Sequence, residues 1–245
     1  MPTPESPTAS APARSRQSRR TRITNMATSS AGTSDVSSTF SVCTNLRMKE
    51  LSDNSCWVCG APYPRIAQMI AKDDRQAALW LERGLINFSL TSVANAIALC
   101  GTCHIMFGCA LDPGVSLNPT DIRFFLDSEK KDRERRRHAS RDGKVAIREV
   151  PTADMYKAHQ ILYVDLTPSA IGGLYEPVFL QRYLAPHVSV DITEELRVPH
   201  EWHGAPLAAL RRCFPLLGSG RIGALSKKQR LELQELRDLY FLDEE

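Results

Sequence analysis

The sequence lacks any apolar run near the roughly 18 residues that a membrane-spanning helix requires. Its first 40 residues also lack the apolar stretch of a secretion signal. We therefore expect no membrane partner and a location in the nucleus or cytoplasm, where cysteines stay reduced. A mitochondrial location is a further alternative, because the same region is rich in Arg and Ser and poor in acidic residues.

Residues 1–40 contain no Leu or Trp, and their only aromatic residue is Phe40. Sixteen of them are Ser or Thr. Such a segment buries too little apolar surface to offset the entropy lost on ordering, so we predict a disordered tail. Five arginines between Arg14 and Arg22 indicate either a solvated basic tail or a nuclear-import or nucleic-acid-binding arm.

The rest of the chain has an ordinary globular composition, with 42% apolar and 24% charged residues overall. The net charge of +3 permits nucleic-acid binding but does not argue for it. We divide this part into residues 41–141, a metal-binding domain with a charged helical extension, and residues 142–245, a mixed α/β region that ends in a helix. An α+β fold class follows.

Local patterns predict several of the elements. We expect helices over 73–84, from Cys100 or Gly101 onward, after Pro119 with Thr120 or Asp121 as the cap, and over 226–242. We expect strands over 145–150 and 160–164, and a loop-rich stretch over 168–206. Residues 127–141 hold seven Lys or Arg and four Asp or Glu, which favours a solvated helical extension; phosphate contact is the alternative.

Four of the seven cysteines form two C-x-x-C pairs, Cys56 with Cys59 and Cys100 with Cys103. Such pairs turn the chain tightly and direct two sulfurs at one ion, and four thiolates are a preferred ligand set of structural zinc. We therefore predict one structural Zn²⁺ on these four residues. Four reduced core cysteines, or a redox motif, are the alternatives. We expect Cys109 and Cys213 to be buried structural thiols.

The residues around the second pair read NAIALCGTCH, from Asn95 to His104. This segment resembles the HNH endonucleases, in particular the nuclease-domain proteins of fungi in which four cysteines bind a zinc that braces a ββα-metal fold. The resemblance covers about residues 50–137. It implies a zinc-braced HNH-like module with added helices, followed by a mixed C-terminal region.

The resemblance also implies roles for three residues. His104 would bind a catalytic divalent metal such as Mg²⁺, and Asn95 would orient the loop that holds the general base. Gln68 stands at the position of the general-base His. An amide cannot accept a proton near neutral pH, so hydrolysis of DNA should be impaired or lost. Asp73, Asp74 or His138 are the groups that would have to replace the missing base.

Three functions remain open at this point. The first is a metal-dependent phosphodiesterase acting on DNA, and the second is a non-catalytic module that still binds nucleic acid. The third is an interaction protein that recruits an unknown protein partner through its C-terminal region. Residues 200–203, HEWH, place two histidines three apart beside Pro199 and Gly204, so we expect a loop rather than a zinc-protease helix.

Overall fold

The described part of the chain combines helices with two small antiparallel sheets, as the α+β prediction required. The computed structural model describes residues 40–109, 112–184, 193 and 195–242. The helices are α1 (Val42–Leu51), α2 (Ala77–Glu82), α3 (Gly101–Gly108), α4 (Ile122–Arg141), α5 (Ala153–Tyr163), α6 (Pro206–Cys213) and α7 (Lys227–Phe241). The strands are β1 (Arg65–Gln68), β2 (Ala96–Leu99), β3 (Val115–Pro119), β4 (Gly173–Phe179) and β5 (His200–Trp202). Short 3-10 helices cover Val93–Asn95, Glu195–Arg197, Phe214–Gly218 and Ile222–Ala224.

The predicted disordered tail and its arginines lie outside the described residues, apart from Phe40. Among the helices that are described, none is long and apolar enough to cross a membrane.

The first sheet is a two-stranded hairpin-like pair that leads into α3. β1 pairs antiparallel with β2, with Arg65 opposite Leu99 and Gln68 opposite Ala96. The second sheet has the order β3-β4-β5, all antiparallel. Along the chain, α2 and a 3-10 helix separate β1 from β2, and α3 follows β2 directly. The second sheet joins β3 to strands of the C-terminal region.

One hydrophobic core spans both predicted regions. Its buried members include Ile97 and Phe107 before residue 141, and Trp202, Leu210 and Leu236 after it. The described residues from 40 to 242 accordingly belong to one compact unit. The division at residue 141 stays a prediction about the organisation of the chain, although side chains from both ranges pack in the same hydrophobic core.

The two strands predicted between 145 and 164 are wrong. Residues 145–150 lie outside any sheet, and Val145 and Ile147 are exposed. The guanidinium of Arg148 donates to the carbonyl of Arg83 at 2.8 Å, which holds this segment against the end of α2. Residues 160–163 belong to α5, which begins at the Thr152 cap. The strand preference of the side chains at 160–163 is outweighed by the N-cap hydrogen bond of Thr152 and by the burial of one face of α5.

Two further boundaries differ from prediction. The helix predicted over 73–84 is confined to Ala77–Glu82, and Gly84 follows it with a positive φ. The stretch predicted to be loop-rich contains β4 and β5. The HEWH segment at 200–203 is a strand and its continuation, not a loop.

Helix α4 is solvated on one face, where Arg137 and His138 are exposed, but its other face is buried and is not the solvated extension that its charges suggested. Glu129 and Asp132 are only 2% and 6% exposed. Glu129 accepts from Arg136 and Arg148 at 3.0 Å each, and Arg136 also donates to Asp132 at 2.8 Å. These ion pairs let one charged face of α4 pack in the interior, against α7.

The ends of α4 and α7 were predicted correctly. Asp121 caps α4, and Gly143 follows its last turn with a φ of +70°. Ser226 and Gln229 form a capping box at the start of α7, whose Leu233, Leu236 and Tyr240 are buried. Leu231, predicted to share that apolar face, is exposed.

Candidate metal centre

The first cysteine pair occupies a tight turn between α1 and β1. The N–H of Cys56 donates to Ala61 and the N–H of Gly60 donates to Cys56, both at 2.8 Å. Gly60 adopts a φ of +70°, a conformation that side chains with a Cβ rarely tolerate. The turn therefore places the Cys56 and Cys59 side chains on the same side of the chain.

The second pair lies where β2 ends and α3 begins. Cys100 is the N-cap of α3, and its sulfur accepts from the N–H of Cys103 at 3.5 Å. The N–H of Trp57 donates to the carbonyl of Ala98 at 2.8 Å. This bond joins the first knuckle to the end of β2 and so brings the two pairs together.

The four sulfurs form one cluster and lie within 4.8 Å of one another. The Cys59 and Cys100 sulfurs are 3.7 Å apart, and those of Cys59 and Cys103 are 3.8 Å apart. All four cysteines are free rather than in disulfides. A tetrahedral ion with ligand distances of about 2.3 Å requires sulfurs roughly 3.8 Å apart, so the cluster can hold a metal ion and is compatible with structural zinc.

The thiols perturb one another strongly. A hydrogen bond from Cys103 lowers the pKa of Cys56 to about 5, which favours a thiolate there. Burial raises the pKa of Cys59 to about 12, and the bond to Cys56 raises that of Cys103. A thiolate is thus favoured at Cys56 and disfavoured at Cys59 and Cys103, and a divalent cation is what would let these neighbouring thiols lose their protons together.

Side chains from the C-terminal region hold the cluster from outside. The indole N–H of Trp57 donates to the carbonyl of Glu201 at 2.9 Å, and that of Trp202 donates to Ala96 at 3.1 Å. The Tyr183 hydroxyl lies 3.5 Å from the Cys103 sulfur and donates to it. The candidate centre is therefore built from the middle of the chain but supported by residues after 141.

Asn95 is fully buried just before β2, and its side chain links the backbone just after β1 to the loop that contains Leu90. Its side-chain oxygen accepts from the N–H of Ile70 at 2.8 Å. Its amide donates to the carbonyls of Ile70 and Leu90, at 2.9 Å each. Gln68 is half-buried and donates to the same Leu90 carbonyl at 3.0 Å. The structure thus brings Asn95 and Gln68 together through one shared acceptor.

His104 lies one residue after the cluster, in the first turn of α3, and is half-buried. Burial and the nearby Arg65 guanidinium lower the pKa of its imidazole. In the part of the chain that is described, the four cysteines are the only group of three or more His, Cys, Asp or Glu side chains close enough to share an ion. His104 therefore has no second set of protein ligands beside it there.

Two of the groups considered as substitutes for the missing base interact with other charged side chains. Asp74 pairs with Arg211 at 2.7 Å, and the exposed His138 pairs with Asp142 at 3.5 Å.

Two of the three cysteines outside the cluster, Cys109 and Cys213, differ in their surroundings. Cys213 is buried, as predicted, and its thiol donates to the carbonyl of Leu117 at 2.8 Å. Cys109, also predicted to be buried, is exposed at the end of α3, because the helix stops there and its side chain faces outward.

Arg212 is a residue of this region that the sequence did not reveal. Its guanidinium donates to the carbonyl of Met69 at 2.6 Å and to that of Phe107 at 3.3 Å, and it stacks on the Phe107 ring at 4.2 Å. Burial lowers its pKa to about 10. Arg212 thereby joins the end of β1 to the end of α3, over a separation along the chain that no local motif could show.

The chain matches no protein-family model, no curated protein and no solved structure. What the protein does must therefore be argued from the cysteine cluster and its surroundings.

Proposed function

We propose that this protein is a zinc-braced HNH-type nuclease-domain protein whose phosphodiesterase activity is impaired or lost. The observation that carries the proposal is the four-sulfur cluster at the junction of β2 and α3. Its sulfur separations of 3.7 and 3.8 Å suit tetrahedral zinc, and thiolate ligands favour Zn²⁺ over hard cations such as Mg²⁺.

The order of elements around the cluster supports the HNH assignment. One knuckle precedes β1, β1 pairs with β2, and the second knuckle opens α3. Asn95 lies between the strands and fixes the backbone at Ile70, two residues after Gln68. His104 follows the second knuckle directly. These placements agree with the roles that the resemblance implies.

The surroundings of Gln68 support the loss of activity. Its amide nitrogen donates to the Leu90 carbonyl and has no lone pair with which to accept a proton from water. Loss of a general base typically costs about 10²–10⁴-fold in rate. His104, without further protein ligands among the described residues, would hold Mg²⁺ weakly unless substrate phosphate completed the coordination.

Nicking of supercoiled plasmid in Mg²⁺, Mn²⁺ or Ni²⁺ tests the proposal. We expect little nicking by the wild type and an increase of about 10²-fold for Gln68→His, because imidazole restores a base. Adding His104→Ala to Gln68→His should remove that gain. Gln76→His is the matched control, since it adds an imidazole at an exposed position whose side chain makes no capping hydrogen bond. Zinc bound per chain is measured in every sample.

Each alternative has its own result. Strong wild-type nicking that His104→Ala abolishes would show an active enzyme with a different base. Absence of nicking in every variant, although zinc is bound, would reject the catalytic part of the proposal.

A non-catalytic module that binds DNA is the second candidate, and the surface of α4 favours it. Lys131, His138 and Lys144 line an open surface pocket at the end of this helix, together with Glu134 and Asp142. If phosphates bind there, the logarithm of the affinity should fall linearly with that of salt concentration. A chain that binds no DNA at low salt would instead favour a protein partner of residues 142–245.

A further inference from the structure

The Tyr183 hydroxyl contacts the cysteine cluster from outside the set of four ligands. Its oxygen lies 3.5 Å from the sulfur of Cys103, 80 residues earlier in the chain. Cys103 is fully buried, so water cannot solvate its sulfur. A phenol keeps its proton at neutral pH, and therefore the hydroxyl is the donor and the sulfur the acceptor.

The position of Tyr183 is fixed by its packing. Its ring lies 6.0 Å from that of Phe179, the last residue of β4. A Cβ at Gly114 would lie 3.2 Å from the Tyr183 ring and 2.3 Å from Met106, so only glycine leaves space for both side chains. The N–H of Leu180 donates to the carbonyl of Gly114 at 2.8 Å, which ties this part of the chain to the start of β3.

We propose that Tyr183 is a positioning residue of the metal centre, whose hydroxyl hydrogen-bonds the Cys103 thiolate and strengthens zinc binding. This inference rests on the proposed zinc site. Four thiolates give a zinc complex a net charge of −2, and a hydrogen bond to one sulfur draws off part of that charge. Hydrogen bonds to the ligands of a metal hold their orientation and are worth about 10–100-fold in affinity.

The test compares Tyr183→Phe with the wild type and with Tyr175→Phe. Tyr183→Phe keeps the ring and removes only the donor. Tyr175 is fully buried and its hydroxyl has no hydrogen-bond partner among the described residues, so Tyr175→Phe controls for loss of a tyrosine hydroxyl in the same core. Zinc affinity is measured by chelator competition, and the absorption spectrum is recorded with Co²⁺ in place of zinc.

We expect Tyr183→Phe to bind zinc about 10-fold more weakly, with wild-type affinity in Tyr175→Phe. The thiolate-to-cobalt charge-transfer band of Tyr183→Phe should move to lower energy, because the Cys103 sulfur keeps more electron density. A purely packing role would leave that spectrum unchanged. Wild-type affinity and spectrum in Tyr183→Phe would overturn the inference, whereas absence of zinc from the wild type would overturn the metal site itself.

Discussion

Asn95 makes three hydrogen bonds that only an amide can make together. It accepts from the N–H of Ile70 and donates to the carbonyls of Ile70 and Leu90. An Asp in this place would put a carboxylate against two carbonyl oxygens in a buried site. The donor and acceptor pattern therefore explains why the residue is Asn and why it positions the end of β1.

We expect Asn95→Ala to lower the free energy of unfolding by about 3 kcal/mol, since three buried hydrogen bonds are lost and the Ile70 N–H is left unpaired. Gln68→Ala removes one half-buried bond to the same Leu90 carbonyl, so it should cost about 1 kcal/mol. Urea denaturation of both variants measures the difference. Equal losses would contradict a special structural role for Asn95.

For individual residues, the spacing of neighbours in the sequence predicted which side chains meet, whereas contacts between distant parts of the chain could not be predicted. The C-x-x-C spacing was sufficient to predict which four sulfurs meet, because each pair is a local turn and one ion-sized site needs two of them. Tyr183 and Arg212 could not be predicted. Each reaches the site from a distant part of the chain, and nothing in the residues beside them indicates that contact.

Among the elements, those with explicit end signals were predicted best. The capping box of Ser226 and Gln229 marks α7, and Asp121 marks α4. Helix α5 was missed because its last residues, with the Val164 that caps it, form a short apolar run of the kind that strands show. The helix is stabilised instead by its Thr152 cap and by the buried Gln160, whose side-chain oxygen accepts from the N–H of Leu174 at 2.6 Å.

The acidic face of α4 offers a test at the level of one element. Glu129 is buried against Arg136 and Arg148, so Glu129→Gln leaves those guanidinium groups short of one negative charge. Breaking a buried ion pair by removing one partner costs about 3–5 kcal/mol. Glu134→Gln, on the exposed face of the same helix, should change stability by less than about 0.5 kcal/mol.

Urea denaturation midpoints of the two variants check this expectation. Similar small losses in both would mean that α4 is a solvated extension after all, as its sequence alone suggested.

At the level of the whole molecule, hydrogen bonds join the candidate metal centre to the C-terminal region. Trp57 of the first knuckle bonds to Glu201, Trp202 bonds to Ala96 of β2, and the N–H of Ala205 donates to Ala94 at 2.8 Å. Because these bonds cross the predicted boundary at residue 141, loss of the metal should destabilise the fold on both sides of that boundary.

We therefore expect Cys100→Ser to destabilise residues 41–242 together, not only the middle of the chain. Structural zinc is coupled to folding. Loss of about 4 kcal/mol would lower the unfolding midpoint by roughly 10 °C in a chain of this size. Thermal unfolding followed by tryptophan fluorescence reports on Trp57 and Trp80, which lie before the boundary, and on Trp202, which lies after it. Cys43→Ser is the matched control, because Cys43 is exposed and outside the cluster.

The number of transitions decides between two organisations of the protein. One transition that moves to lower temperature in Cys100→Ser, with Cys43→Ser unchanged, means that a single cooperative core depends on the metal centre. Two transitions, of which only the first moves, would make residues 142–245 an independent domain despite the shared core. Hydrogen exchange of the α7 amides separates the cases directly: in the first, their protection falls with the loss of the metal, because Leu233 and Leu236 belong to the same core as Cys56 and Cys103.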